Sequence, residues 1–180
     1  MKTLKDIAQT GDIVFLIAGH SFWSSIIRFF TGDETHVFLV YDSTTIYETE
    51  YNLKKSAFSS IDRYNHRRMR VFRIKNLTEA QRQRIQDVCR LQLGTPYSYL
   101  AFVVQALFNG LPRKQKDFIN DLFDNKKNAK CDQSVVNVLN SALDDDFWIK
   151  SLASNPHELR KDVTDNPNIE EVFNNFGSIK

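Results

Sequence analysis

Glycine and proline are scarce in this 180-residue chain, six and four residues respectively. That scarcity excludes collagen-like repeats and Pro/Gly-rich disordered tracts. Cysteine is rarer still. Cys89 and Cys131 are too few to staple a small scaffold, and a single potential bridge in a chain without export signals is a weak case. Long apolar runs are missing too. The longest, Tyr97 to Phe108, is broken by Ser98 and Gln105 and is too short to span a bilayer. Met1 to Asp6 is not followed by an apolar stretch and a small-residue cleavage site, so no signal peptide is expected. Nor is there an excess of one charge. With 24 basic and 22 acidic residues the net charge is +2, and global electrostatics argues against a nucleic-acid binder. The expectation is a soluble, cytoplasmic protein of a reducing compartment.

What the chain does have is phenylalanine, 14 residues, within an ordinary apolar content of 42%. That is enough for one folded domain over residues 1–180 and too little length for two. Lys5 to Gln9 reads as a turn of helix, and Asp12 to Ala18 is a continuous apolar run suited to a buried strand. Phe22 to Phe30 carries apolar residues at helical spacing and ends at Thr31-Gly32. Two runs of β-branched and aromatic residues, Thr35 to Tyr41 and Thr45 to Glu50, flank a polar break and predict an antiparallel hairpin. Asn52 to Asn65 shows no period and is expected to be a surface loop. Met69 to Lys75 alternates apolar and basic residues as a strand does.

Thr78-Glu79-Ala80-Gln81 has the form of a capping box and opens a helix expected to end at Gly94. Thr95-Pro96-Tyr97 starts a second, apolar helical segment reaching Asn109-Gly110, and polar residues 110–130 read as a lid, an insertion or a plain surface helix. From Cys131 to Leu143 the apolar residues Val135, Val136, Leu139 and Leu143 form one stripe, a third helix that begins at the cysteine. The tail beyond Asp144 is mostly polar with scattered docking residues. The fold class expected is α+β, a small antiparallel sheet packed against helices.

Within the hairpin, His36 and Glu48 both occupy even positions on neighbouring strands, so they can share one face near its open end. An imidazole held by a carboxylate is half of a nucleophilic constellation. Cys131 offers the other half. At a helix start, beside a cationic imidazole, a cysteine is favoured as the thiolate, and Lys130 acts in the same direction while Asp132 opposes it. Position alone leaves Cys131 open as a small buried residue and His36 as a structural one. Cys89, on the apolar stripe of its helix, reads as packing. His20, His66 and His157 fall in expected loops or turns, and none pairs with a cysteine or carboxylate at metal-ligand spacing, so no metal and no cofactor are expected.

The order of these segments resembles the circularly permuted papain-like hydrolases, the NlpC-type fold in its YiiX-like branch, related also to the lecithin:retinol acyltransferase group. The resemblance rests on Gly11-Asp12-Ile13-Val14-Phe15, a short helix with Ser24 and Ile26, Thr35-His36-Val37 and Ile46-Tyr47-Glu48. Later come Gly94-Thr95-Pro96-Tyr97, Cys131-Asp132-Gln133-Ser134-Val135-Val136 and Asn155-Pro156-His157-Glu158-Leu159. Asp132 departs from the family's small residue after the cysteine. The resemblance implies a permuted papain-like domain with Cys131 as nucleophile, His36 as general base and then acid, and Glu48 as orienting carboxylate, with Glu50 as the rival. It also implies the Cys131 amide as an oxyanion donor; Tyr97 is a second donor or shapes the cleft.

The resulting expectation is a cysteine peptidase or amidase acting on a small peptide or amide, of γ-glutamyl or cell-wall type. Two alternatives stand beside it. One is an acyltransferase or lipid thioesterase with the same centre. The other is a non-catalytic module using the basic region Arg63 to Arg90 on an anionic partner.

Overall fold

The computed structural model describes residues 3–17, 33–98, 130–143 and 155–175. The expected helix at Phe22 to Phe30, the apolar segment beyond Ser98 and the lid or insertion at 110–130, Lys130 apart, lie outside the described residues. Six strands form one antiparallel sheet: β1 (Ile13–Ile17), β2 (Glu34–Val40), β3 (Thr45–Glu50), β4 (Lys55–Ser60), β5 (Met69–Ile74) and β6 (Ile169–Asn174). Their order across the sheet is β4-β3-β2-β1-β5-β6. Among the described residues three helices accompany them, α1 (Glu79–Leu91), α2 (Cys131–Ala142) and α3 (Pro156–Asp165). The class is α+β.

Every residue of β1 is buried. A central strand with two covered faces needs no polar alternation, which is why its sequence is an unbroken apolar run. Ile13 and Phe15 join Val37, Leu39, Tyr47 and Phe72 under the three helices, with Ile85, Val135, Leu139, Leu159 and Val163 from above. Val14 and Leu16 join Phe38, Ile46 and Val71 on the opposite face, covered by Leu4, Ile61 and Tyr64 from two 3-10 turns. The sheet therefore separates two apolar cores.

The helix starts follow local chemistry. The Thr78 hydroxyl accepts from the Gln81 amide at 3.3 Å, while the Gln81 side-chain oxygen accepts from the Thr78 amide at 2.9 Å. Asn155 caps α3 by accepting from the Glu158 amide at 2.9 Å, with Pro156 as the first helical residue. At α2 the Lys130 amide donates to the Gln133 side chain at 3.2 Å.

Three segments differ from the sequence expectation. Thr95 to Tyr97, expected to start a helix, is instead non-helical and joins β4 through an isolated Lys55↔Pro96 bridge. Asn52 to Asn65 is not a loop: it holds β4, paired with β3 from Thr45↔Ser60 to Glu50↔Lys55, between the 3-10 turns Tyr51–Leu53 and Ile61–Tyr64. The polar tail contains α3 and β6. Both missed strands lie at sheet edges, where main-chain pairing holds the strand and one row of side chains faces water.

The Gly11-Asp12 pair has a structural explanation. Gly11 has φ +90°, and a Cβ there would lie 2.9 Å from Leu77 Cδ1, so only glycine fits. Asp12, 1% exposed, accepts from the Gln9 amide at 2.9 Å and from Arg73 Nε and Nη2 at 2.9 and 2.8 Å. This fork ties the start of β1 to β5. Asp12→Ala is expected to destabilise the protein by roughly 3 kcal/mol, the low end for a broken buried pair because Arg73 keeps some access to water. Urea unfolding monitored by circular dichroism measures it; a loss within about 0.5 kcal/mol, ordinary for a surface change, would refute the assigned role.

Candidate functional site

The β2–β3 ladder is shorter than its strands. Only Leu39↔Tyr47 and Val40↔Ile46 are in register, although β2 reaches back to Glu34 and β3 runs on to Glu50. Beyond those pairs the strands part, and His36 and Glu48 meet in the opening with Nε2 3.0 Å from Glu48 Oε2. His36 packs against Phe38 and Tyr64, ring centroids 6.0 and 6.1 Å away.

Glu48 is 1% exposed and fully engaged. Its Oε2 also accepts from the Tyr64 hydroxyl at 2.7 Å, and its Oε1 accepts from Arg63 Nη1 at 3.0 Å. Burial alone would raise its carboxyl; hydrogen bonds from His36, Ser59 and Tyr64 and the imidazolium charge outweigh it and hold the group at about 2. The same carboxylate drives the Tyr64 hydroxyl strongly upward, after burial itself, so Tyr64 only donates. Glu50, the rival orienter, instead accepts from Arg63 Nη2 at 2.6 Å.

Cys131 reaches this opening from the helical side. It is the first residue of α2, and its side chain hydrogen-bonds His36. With Nε2 on Glu48, Nδ1 is the ring nitrogen left for the sulfur. Burial pulls the imidazole down, but hydrogen bonds and charge from Cys131 and Glu48 raise it from 6.5 to about 10. The ring is thus protonated at neutral pH, between a sulfur and a carboxylate. Cys131 is 8% exposed and the His36 side chain 12%, so the pair lies at the margin of the core. Cys89 differs: burial pushes its thiol up to about 12, and both cysteines are free.

A buried polar clamp sets the height of α2 on the sheet. Ser134, one turn beyond Cys131, hydrogen-bonds the Tyr47 hydroxyl at 2.9 Å and accepts from Thr49 Oγ1 at 2.8 Å. Asp132 is buried beside Lys130, Oδ2 to Nζ 3.9 Å. Burial raises its carboxyl against the opposing Lys130 charge, and Oδ2 makes no hydrogen bond. Tyr97, half-buried, donates its amide to the Lys54 carbonyl at 2.9 Å, beside the Lys55↔Pro96 bridge.

Sequence reasoning missed Arg63 and Tyr64 as site residues, because they follow the unrecognised β4. It also placed His157 in a turn; the residue lies on α3, 2.5 Å from the buried Glu34 and near Arg160, the second partner of Glu34. Among the described residues, no group of three or more His, Cys, Asp or Glu side chains could hold a metal ion. No described helix is long and apolar enough to cross a membrane.

No known family model matches the sequence, and no curated protein matches it. Among solved structures, the chain is similar to the crystal structure of the metalloprotein YiiX from Escherichia coli O157:H7, DUF1105. The TM-score is 0.59 at 18% identity, over 92% of this chain and 97% of that one. At that identity the likeness establishes a YiiX-like fold.

The two shifts set opposite ends of a pH window. The raised His36 contributes stability fully below about 6.5 and loses it as pH climbs through about 10; the lowered Glu48 contributes above 4.5 and loses it as pH falls through about 2. His36 is therefore expected to remain protonated through neutral pH in the native protein. Glu48→Gln should lower its titration by about one to three pH units, read from the ring resonances by NMR; an unchanged titration would show that Glu48 does not hold the ring.

Proposed function

We propose that this protein is a thiol-dependent hydrolase with a permuted papain-like centre, cleaving amide bonds of small peptides through Cys131, His36 and Glu48. The observation that carries this reading is the convergence of the first residue of α2 and two strand residues on one imidazole. His36 has Cys131 on one side and Glu48 Oε2 at 3.0 Å on the other. Nucleophile, base and orienter are the three parts that acyl transfer to a thiol requires.

In the proposed reaction, the Cys131 sulfur attacks the amide carbonyl carbon while His36 holds the proton taken from the thiol. The oxyanion develops near the start of α2, where the Cys131 amide serves as one donor, with Tyr97 as the second donor or a cleft-shaping residue. Collapse breaks the C–N bond, His36 passes its proton to the leaving nitrogen, and an acyl-thioester remains. Water, deprotonated by the now neutral imidazole, releases the acid and restores Cys131. The resemblance read from the sequence favours γ-glutamyl or cell-wall-type amides as substrates.

YiiX is called a metalloprotein, but the donors gathered here do not fit a metal centre. Both Glu48 oxygens and His36 Nε2 are committed within the protein, one of them to the Arg63 cation, leaving only the thiol and Nδ1. The rival binding-module reading needs a free basic face. Arg63, Arg70, Arg73, Lys75, Arg82 and Arg90 all have intramolecular partners instead.

At neutral pH iodoacetamide is expected to alkylate Cys131 and leave Cys89 unmodified, as read by peptide mass spectrometry. Cys131→Ala should lower kcat/KM on a γ-glutamyl peptide by at least about a thousandfold, while an EDTA-treated sample keeps its rate. A panel of acyl esters alongside the peptide distinguishes the acyltransferase alternative. Undiminished turnover by Cys131→Ala would reject the mechanism.

A further inference from the structure

The Glu48 carboxylate carries more donors than an orienter of His36 needs. Oε2 alone would fix the ring, yet Tyr64 shares that oxygen and Arg63 takes the other. Arg63 is moreover divided between two acids, with Nη1 on Glu48 at 3.0 Å and Nη2 on Glu50 at 2.6 Å. Its side chain is 34% exposed, so it reaches from the protein margin to a wholly buried carboxylate.

This arrangement answers a chemical difficulty of the proposed reaction. An imidazolium between a sulfur and a buried carboxylate holds its proton tightly, whereas the second half of acylation requires that proton to leave. As the C–N bond breaks, the ring gives its Nδ1 proton to the departing nitrogen and becomes neutral. A cation on the far oxygen of Glu48 withdraws charge from the oxygen facing His36 and repels the positive ring. We propose that Arg63 is a positioning residue that, shared between Glu48 and Glu50, sets how readily His36 releases its proton to the leaving group. The proposal rests on the hydrolase reading above.

Among the described residues, the groups facing this pair are Cys131 from α2, Glu48 and Glu50 from β3, Ser59 from β4, and Arg63 and Tyr64 from the 3-10 turn. Glu50 enters as a competitor. By drawing half of the guanidinium outward, it limits what Arg63 withdraws from Glu48. Tyr64, a neutral donor on the His36 side, fixes Oε2 without adding a charge.

The test reads His36 by NMR in the Cys131→Ser background, where the sulfur's contribution is gone and the titration is accessible. Adding Arg63→Met should raise it by about one pH unit; adding Glu50→Gln, which releases Arg63 wholly to Glu48, should lower it. In the protein with Cys131 intact, Arg63→Met should slow anilide hydrolysis about tenfold. It should slow the p-nitrophenolate burst, which reports ester acylation alone, much less than anilide hydrolysis, because that leaving group departs without a proton. A loss of packing alone would depress both substrates together. No upward shift in Arg63→Met, an unchanged or raised titration in Glu50→Gln, or equal losses on the two substrates would each overturn the proposal. Should neither substrate be turned over by the parent protein, the hydrolase reading fails on its own, while the two titrations still decide whether Arg63 governs the His36 proton.

Discussion

Glu48 is a carboxylate inside a sheet with apolar cores on both faces, and a charge there persists only if donors surround it. His36, Tyr64 and Arg63 do so from a strand and a 3-10 turn. The imidazole orientation follows from that engagement. With Nε2 on Glu48, the ring turns its other nitrogen toward α2, and the sulfur at the head of that helix becomes its second partner. Without the carboxylate, His36 would be an imidazole at the edge of a core, pulled toward neutrality by burial.

The fold makes room for this cluster by interrupting its own hydrogen bonding. β2 and β3 pair near their turn and separate beyond Leu39 and Tyr47, while β4 continues to pair with β3 through Glu50. Along β3, odd and even positions divide the work. Tyr47 and Thr49 face α2 and grip Ser134, one turn from Cys131, while Glu48 faces His36 and Arg63. A slip of one residue in β3 would exchange the two sets and dismantle clamp and dyad together.

Much of this was legible in the amino-acid order. The unbroken run of β1, the aromatic and β-branched hairpin, the Thr78 capping box and the stripe behind Cys131 each carry a physical signature that needs no partner to recognise. The even parity of His36 and Glu48 suggested their common face. Other parts were not legible, for identifiable reasons. The β4 sequence Lys-Ser-Ala-Phe-Ser-Ser has no β-branched residue, and its pairing is carried by main-chain bonds. Arg63 and Tyr64 sit just beyond it, so their approach to Glu48 was hidden with the strand. Arg63 was visible only as one member of a basic cluster, which long-range pairs such as Arg70 with Glu171 and Arg73 with Asp12 disperse into the fold.

The likeness to YiiX concerns the fold, whereas the proposed chemistry lies in the opening between β2 and β3. Cys131 and Cys89 illustrate the difference that location makes: one borders a protonated imidazole at a helix start, the other is sealed within the core. The account therefore stands or falls on whether Cys131 forms a covalent bond to substrate. Rapid quenching of the protein with a γ-glutamyl peptide, followed by intact and peptide mass spectrometry, measures this directly. The account predicts an acyl group on Cys131 that appears within the first turnover and is released by hydroxylamine. Turnover proceeding with Cys131 unmodified throughout would contradict it.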